Sequence, residues 1–135
     1  MRNGHLDTRT KILSPAAVLE TARRWRDEAR TLKVVIGCFD PVLADHARRV
    51  EALRDGSTAL VAIVVEPPRP ILPARARAEL VAALAAVDLV VIPGDAPLDD
   101  LLLGLGAAEV VHGESADWQI TQSLIHHVQS RQSTV

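Results

Sequence analysis

Apolar residues fall along this chain in two alternating rhythms, one of helical period and one of short unbroken runs. Val18, Ala22, Trp25 and Ala29 recur at helical spacing, which predicts a helix from Ser14 to about Arg30 with this stripe facing inward. Ser14 and Pro15 read as its N-cap and first residue, because serine accepts an orphan amide bond and proline has no amide to lose. Arg23, Arg24, Arg26, Asp27 and Glu28 mostly face water. Lys33 to Ile36 is a short strand ending at Gly37, and the helix after it carries Leu43, Ala47, Val50 and Leu53 on one side before Gly56. Thr58 to Val65 is continuous and β-branched, hence a buried strand.

The run from Glu66 to Pro73 holds four prolines and cannot be regular structure. Ala74 to Ala86 then reads as helix, Asp88 to Ile92 as the third strand, Pro93 to Asp95 as a turn, and Leu98 to Leu105 as a helix closed by glycines. Ala108 to His112 is the fourth strand and Gly113 to Ala116 a loop. A last helix runs from about Trp118 to Arg131, with Ile120, Leu124, Ile125 and Val128 inward. Strands alternating with helices imply an α/β fold: a small doubly wound parallel sheet of about four strands, Rossmann-like, with helices on both faces. The organisation expected is a flexible stretch over residues 1–10 and one domain over 11–135.

Composition narrows the picture. Aromatic residues are only 2% of the 135 and hydrophobic ones 48%, so the core is aliphatic, as suits helices packed on a fully buried sheet. A net charge of −2 and the lack of tyrosine argue against nucleic-acid binding. No apolar run reaches the roughly twenty residues of a membrane span, and the polar first ten residues do not read as a signal peptide. A lone cysteine, Cys38, makes no internal disulfide and agrees with a reducing, cytoplasmic setting.

Ligands of doubly wound sheets sit beyond the carboxyl ends of the strands, where strand order reverses. Here that end reads Gly37-Cys38-Phe39-Asp40-Pro41-Val42-Leu43-Ala44-Asp45-His46. Glycine lets backbone approach a ligand, and the amides opening the next helix suit a phosphate. These ten residues resemble the signature of the cytidylyltransferase-like nucleotidyltransferases, Gly-x-Phe-Asp followed by x-x-His-x-Gly-His, and in particular that of the heptose 1-phosphate adenylyltransferase domain. Gly37, Phe39, Asp40 and His46 match it. The likeness extends through Arg69-Pro70-Ile71, Arg77-Ala78-Glu79 and Val87-Asp88-Leu89-Val90-Val91, and covers roughly Lys11 to Arg131.

The resemblance implies attack by a sugar-phosphate oxygen on the α-phosphate of ATP or CTP, with Mg²⁺ present and pyrophosphate leaving; without catalysis no metal or cofactor is called for. Such chemistry depends on positioning and charge neutralisation rather than a covalent nucleophile. By resemblance His46 is the catalytic phosphate donor, and Gly37, Cys38, Phe39, Asp40, Arg77, His112, Gly113, Thr121 and Ser123 bind the nucleotide. A homodimer is the oligomer it suggests, and no resident metal site is expected.

The pattern is eroded. Leu43 stands at the first motif histidine and Asp45 at the motif glycine, where a carboxylate would repel phosphate by roughly 1 to 4 kcal/mol at about 4 Å. Two functions therefore compete: a sugar-phosphate nucleotidyltransferase, and a catalytically impaired nucleotide-binding or regulatory paralogue. Each residue also has a plainer reading. His46 could lie on a helix surface, Asp40 could cap the second helix, Asp45 suits a first helical turn, and Cys38 could simply pack. Arg69, Arg75 and Arg77 could be a charged rim. His126 and His127 are adjacent and face different sides of a helix, so they do not pair on a metal.

Overall fold

The computed structural model describes residues 7–132, apart from the side chains at 115–118, 120, 121 and 132. Within the polar start, Thr8–Lys11 form a 3₁₀ turn with Asp7 as its cap. The elements that follow are β1 Ile12–Leu13, α1 Pro15–Asp27, β2 Leu32–Gly37, α2 Ala44–Leu53, β3 Ala59–Val64, α3 Ala74–Ala82, β4 Leu89–Val91, α4 Leu98–Leu105, β5 Glu109–His112 and α5 Glu114–Gln132. Five parallel strands, not about four, form one sheet in the order β1-β4-β3-β2-β5. The extra strand is two residues long, too short for its side chains to show a period.

Side-chain alternation along the two central strands builds two cores. Leu32, Val34 and Ile36 of β2 and Ala59, Val61 and Ile63 of β3 pack with Val18 and Ala22 of α1 and Leu101 and Leu105 of α4. Val35 and Leu60, Ala62 and Val64 face the other way, onto Val50 of α2 and Ala78, Val81 and Ala82 of α3. All six residues of β3 are buried, as a strand with neighbours on both edges and helices on both faces must be. On the α1 side the helices come close because α4 carries Gly104: a Cβ there would lie 2.6 Å from a Leu19 methyl.

Three element ends depart from the sequence reading. Helix α1 stops at Asp27, and Ala29, expected on its inward stripe, is exposed with φ of 59°. The Ala29 amide donates to Arg26 O at 2.9 Å and the Arg30 amide to Trp25 O at 2.8 Å. This bond pair is the Schellman closure, here with alanine in the left-handed position glycine usually takes. The Arg30 guanidinium then lies 4.5 Å over the Trp25 ring. Helix α3 ends at Ala82 rather than near Ala86, and Lys11 Nζ donates to Leu84 O and Val87 O, at 3.2 and 2.8 Å. Those two carbonyls of the turn after α3 are what hold the lysine. Finally, α5 begins at Glu114, so the loop expected over Gly113 to Ala116 is a single residue followed by helix.

Candidate functional site: the crevice between β2 and β5

Strand order reverses at β2. From there the chain moves to β3 and β4 on one side, then crosses to β5 on the other, so the switch point lies between the carboxyl ends of β2 and β5. Ile36 is in register with His112, and the Gly113 amide donates to Ile36 O at 2.8 Å. Two helices open at this end: α2 after the segment 38–43, and α5 directly after Gly113. Their unpaired first-turn amides and partial positive charges make the crevice a place for an anion.

The segment between β2 and α2 is tightly held. Phe39 has φ of 51°, a conformation that costs a non-glycine residue on the order of 1 kcal/mol or more. Burial of its ring, 1% exposed, offsets that cost. The Asp40–Pro41 peptide is cis. Asp40 is wholly buried, and its carboxylate accepts the amides of Ile71 at 2.6 Å and Leu72 at 2.8 Å. It is thus bound to the proline-rich loop after β3. The alternative of capping α2 does not hold, because the N-cap position is Leu43, which has no capping side chain.

His46 does not lie on a helix surface. Its imidazole is fully buried and tilts against Phe39 with ring centroids 5.8 Å apart. The Leu43 amide donates to His46 Nδ1 at 2.9 Å, so the ring carries its proton on Nε2. The histidine therefore closes the first turn of α2 from within, replacing the missing cap. Asp45 is exposed and pairs with Arg48 three residues on, so its charge turns along the helix surface.

Arg77 is fully buried as well, and its donors are spent on protein. Nε donates to Leu72 O at 3.1 Å, and Nη1 donates to Cys38 O at 2.9 Å and Val65 O at 2.8 Å. Nη2 donates to Glu66. Arg69 and Arg75 are exposed, the latter paired with Glu79 at 3.3 Å.

At the β5 margin, His112 is exposed, with Nδ1 at 3.2 Å from Glu114 Oε1. Cys38 is buried and its thiol lies 3.9 Å from Glu114 O. Gly37, Cys38, Gly113 and His112 are accordingly brought together, whereas Thr121 and Ser123 are set back from them. Both belong to α5; Ser123 is exposed about 14 Å along the axis from the helix start, and the Thr121 side chain lies outside the described residues. Glu114 is the crevice residue that sequence reasoning passed over, because a glutamate after a glycine reads as a loop residue until β5 sets it beside Cys38.

Two cavities flank these loops. One of about 220 Å³ lies under α2, walled by Val35, Phe39, Val50, Leu53 and Val111. Another of about 420 Å³ lies at the carboxyl ends of β3 and β4, among Val65, Glu66, Ala74, Ile92, Gly94 and Leu98. A larger hollow of about 550 Å³, lined by Arg54 and Ala86 among others, is at the amino ends of the strands, away from the switch point. Among the described residues, no group of three or more His, Cys, Asp or Glu side chains could hold a metal ion, and no helix is long and apolar enough to cross a membrane.

Sheet order and crevice together define a Rossmann-like α/β protein. No family model matches the chain. It is 35% identical over 127 residues, 87% of its length, to the bifunctional protein HldE of Bradyrhizobium diazoefficiens. Against the protein of the same name from Acidiphilium cryptum it is 36% identical over 99 residues, or 66% of the chain. Against that of Magnetococcus marinus it is 31% identical over 145 aligned positions, 92% of the chain. The chain spans only 20 to 30% of the length of these relatives. It belongs with the cytidylyltransferase-like nucleotidyltransferases, in the group of the heptose 1-phosphate adenylyltransferase domain.

Proposed function

We propose that the chain binds a nucleotide, ATP or CTP, at the crevice between β2 and β5, and that it transfers the nucleotidyl group to a sugar phosphate slowly or not at all. The observation that carries this reading is the burial of His46: the one motif imidazole is fully buried, with Nδ1 taken by the Leu43 amide and the Nε2 proton its single donor, while Leu43 supplies no second donor. Loss of one preorganised donor costs on the order of a hundred- to thousandfold in rate. What is left is an anion cradle of two helix starts joined to a fold built for nucleotides. The cavity beside Glu66 and Gly94 is the place for an acceptor.

Magnesium would come with the nucleotide and neutralise its phosphates. The described residues do not fit a resident metal site, so no step is assigned to the ion. A cytoplasmic setting agrees with the single reduced thiol of Cys38. A second reading, active transfer, is favoured by Asp45, whose pairing with Arg48 keeps its carboxylate off the cradle.

Calorimetry with ATP, CTP and ADP, with and without Mg²⁺, tests the binding, and pyrophosphate release with heptose 1-phosphate tests the transfer. Heat without release is expected. Release at an ordinary enzymatic rate would establish the second reading, and neither heat nor release would remove both. Leu43→His combined with Asp45→Gly should raise release at least tenfold over the parent protein if the lost donor is what limits transfer.

A further inference from the structure

Two buried charges of opposite sign lie within one small circuit of hydrogen bonds at the carboxyl edge. Asp40, on the β2–α2 segment, accepts the amides of Ile71 and Leu72. Arg77, on α3, donates to the carbonyl of the same Leu72, to Val65 at the end of β3, and back to Cys38 on the β2–α2 segment. The loop of residues 65–72 is thereby tied to the segment of residues 38–40 twice, once through each charge. Both side chains are fully buried. The guanidinium has a fixed planar fork, which is why one side chain can address three carbonyls and the Glu66 carboxylate at once; a lysine could not.

We infer that Asp40 and Arg77 are positioning residues which bind the β2–α2 segment and the β3–α3 loop into one unit, so that the wall of the acceptor-side cavity and the backbone leading to His46 shift together. Neither needs to touch a ligand to do this. Glu66 is the exposed end of the circuit, 61% open to solvent while paired with Arg77, and it also lines the cavity at the ends of β3 and β4. A ligand in that cavity acts on Glu66, and Arg77 passes the displacement to the Cys38 carbonyl. The coupling of two ligand positions rests on the function proposed above, whereas the mechanical joining of the loops does not.

Amide hydrogen exchange on the full chain tests the joining without any ligand. Arg77→Lys and Glu66→Gln are compared with the unaltered protein, the second because its surface position leaves folding intact. Exchange should rise at least severalfold in residues 38–43 and 66–72 together, with the amides of β3 as protected as before. Loosening of only one of the two segments, or of neither, overturns the proposal. If Arg77→Lys does not fold, Glu66→Gln and Asp40→Asn decide it by the same criterion. Calorimetry with ATP and Mg²⁺ on the same variants adds the functional arm. A tenfold or greater weakening alongside joint loosening supports positioning, and unchanged affinity despite joint loosening overturns the link to the crevice. Where the unaltered protein gives no heat, the nucleotide reading fails while the exchange result still decides the joining.

Discussion

The two sides of the sheet's carboxyl edge are built on different principles. Toward β3, the loops are stitched by Asp40 and Arg77, two buried charges held by backbone partners and, for Arg77, by the Glu66 carboxylate as well. Toward β5, the connections are an edge strand of four residues, the bond from Gly113 to Ile36, a long sulfur contact from Cys38, and a pair between exposed His112 and half-buried Glu114. A buried charge is stable only with its partners in place, so the first side has one geometry open to it. A pair whose histidine stands in water contributes little and can rearrange. The crevice therefore has one rigid wall and one adaptable wall, and a ligand entering it would be fitted chiefly by the β5 margin.

Substitutions should divide along this line. Arg77→Met is the most severe: it leaves the carbonyls of Cys38, Val65 and Leu72 without their donor in a buried place, and should cost about 3–5 kcal/mol in urea denaturation. A loss under about 1 kcal/mol would abolish the distinction between the walls. Asp40→Asn presents an amide group to one of the two backbone N–H donors it now accepts, and should cost about 1–3 kcal/mol by the same measurement. On the other wall, His112→Ala and Glu114→Gln should each change stability by no more than about 0.5 kcal/mol. If either equals Asp40→Asn, the β5 margin is not the adaptable side.

The smallest effect lies at the opposite end of the strands and serves as a control. The Thr58 side chain, and after it Lys33, hold the Asp55 carboxyl below the usual carboxylate range. A carboxylate with a depressed folded-state pKa adds stability that is whole above about pH 4 and is lost as pH falls through the lower folded value. Asp55→Asn should therefore lower stability slightly across the neutral region, flatten the acid limb of the stability curve below pH 4, and leave the crevice unaffected. A change in nucleotide affinity in this variant would mean that the two ends of the sheet are not independent.

Much of the fold was legible in the order of residues. The apolar runs of β2 and β3 gave strands because a strand covered on both faces needs no polar alternation, and Ser14-Pro15 marked the start of α1, where Ser14 Oγ accepts the Ala17 amide at 3.2 Å. Glycine at 106, with φ of 59°, closes α4 where the pattern placed a stop. Helix ends without such markers were misplaced. Ala29 ends α1 in a conformation that nothing about alanine announces, and α5 starts at once because Gly113 is consumed by its bond to Ile36.

The candidate site divides in the same way. Local sequence determined that a glycine-led segment with His46 in a helix's first turn would stand at the end of β2, since strand, turn and helix signals are all carried by neighbouring residues. Whether Asp40 caps a helix or binds a distant loop, whether Arg77 faces solvent or three carbonyls, and whether His46 meets a cleft or its own helix start depend on partners as much as 39 residues away in sequence. Such pairings are set when the sheet assembles, because the desolvation of a buried charge can be offset only by groups that the folded chain brings to it.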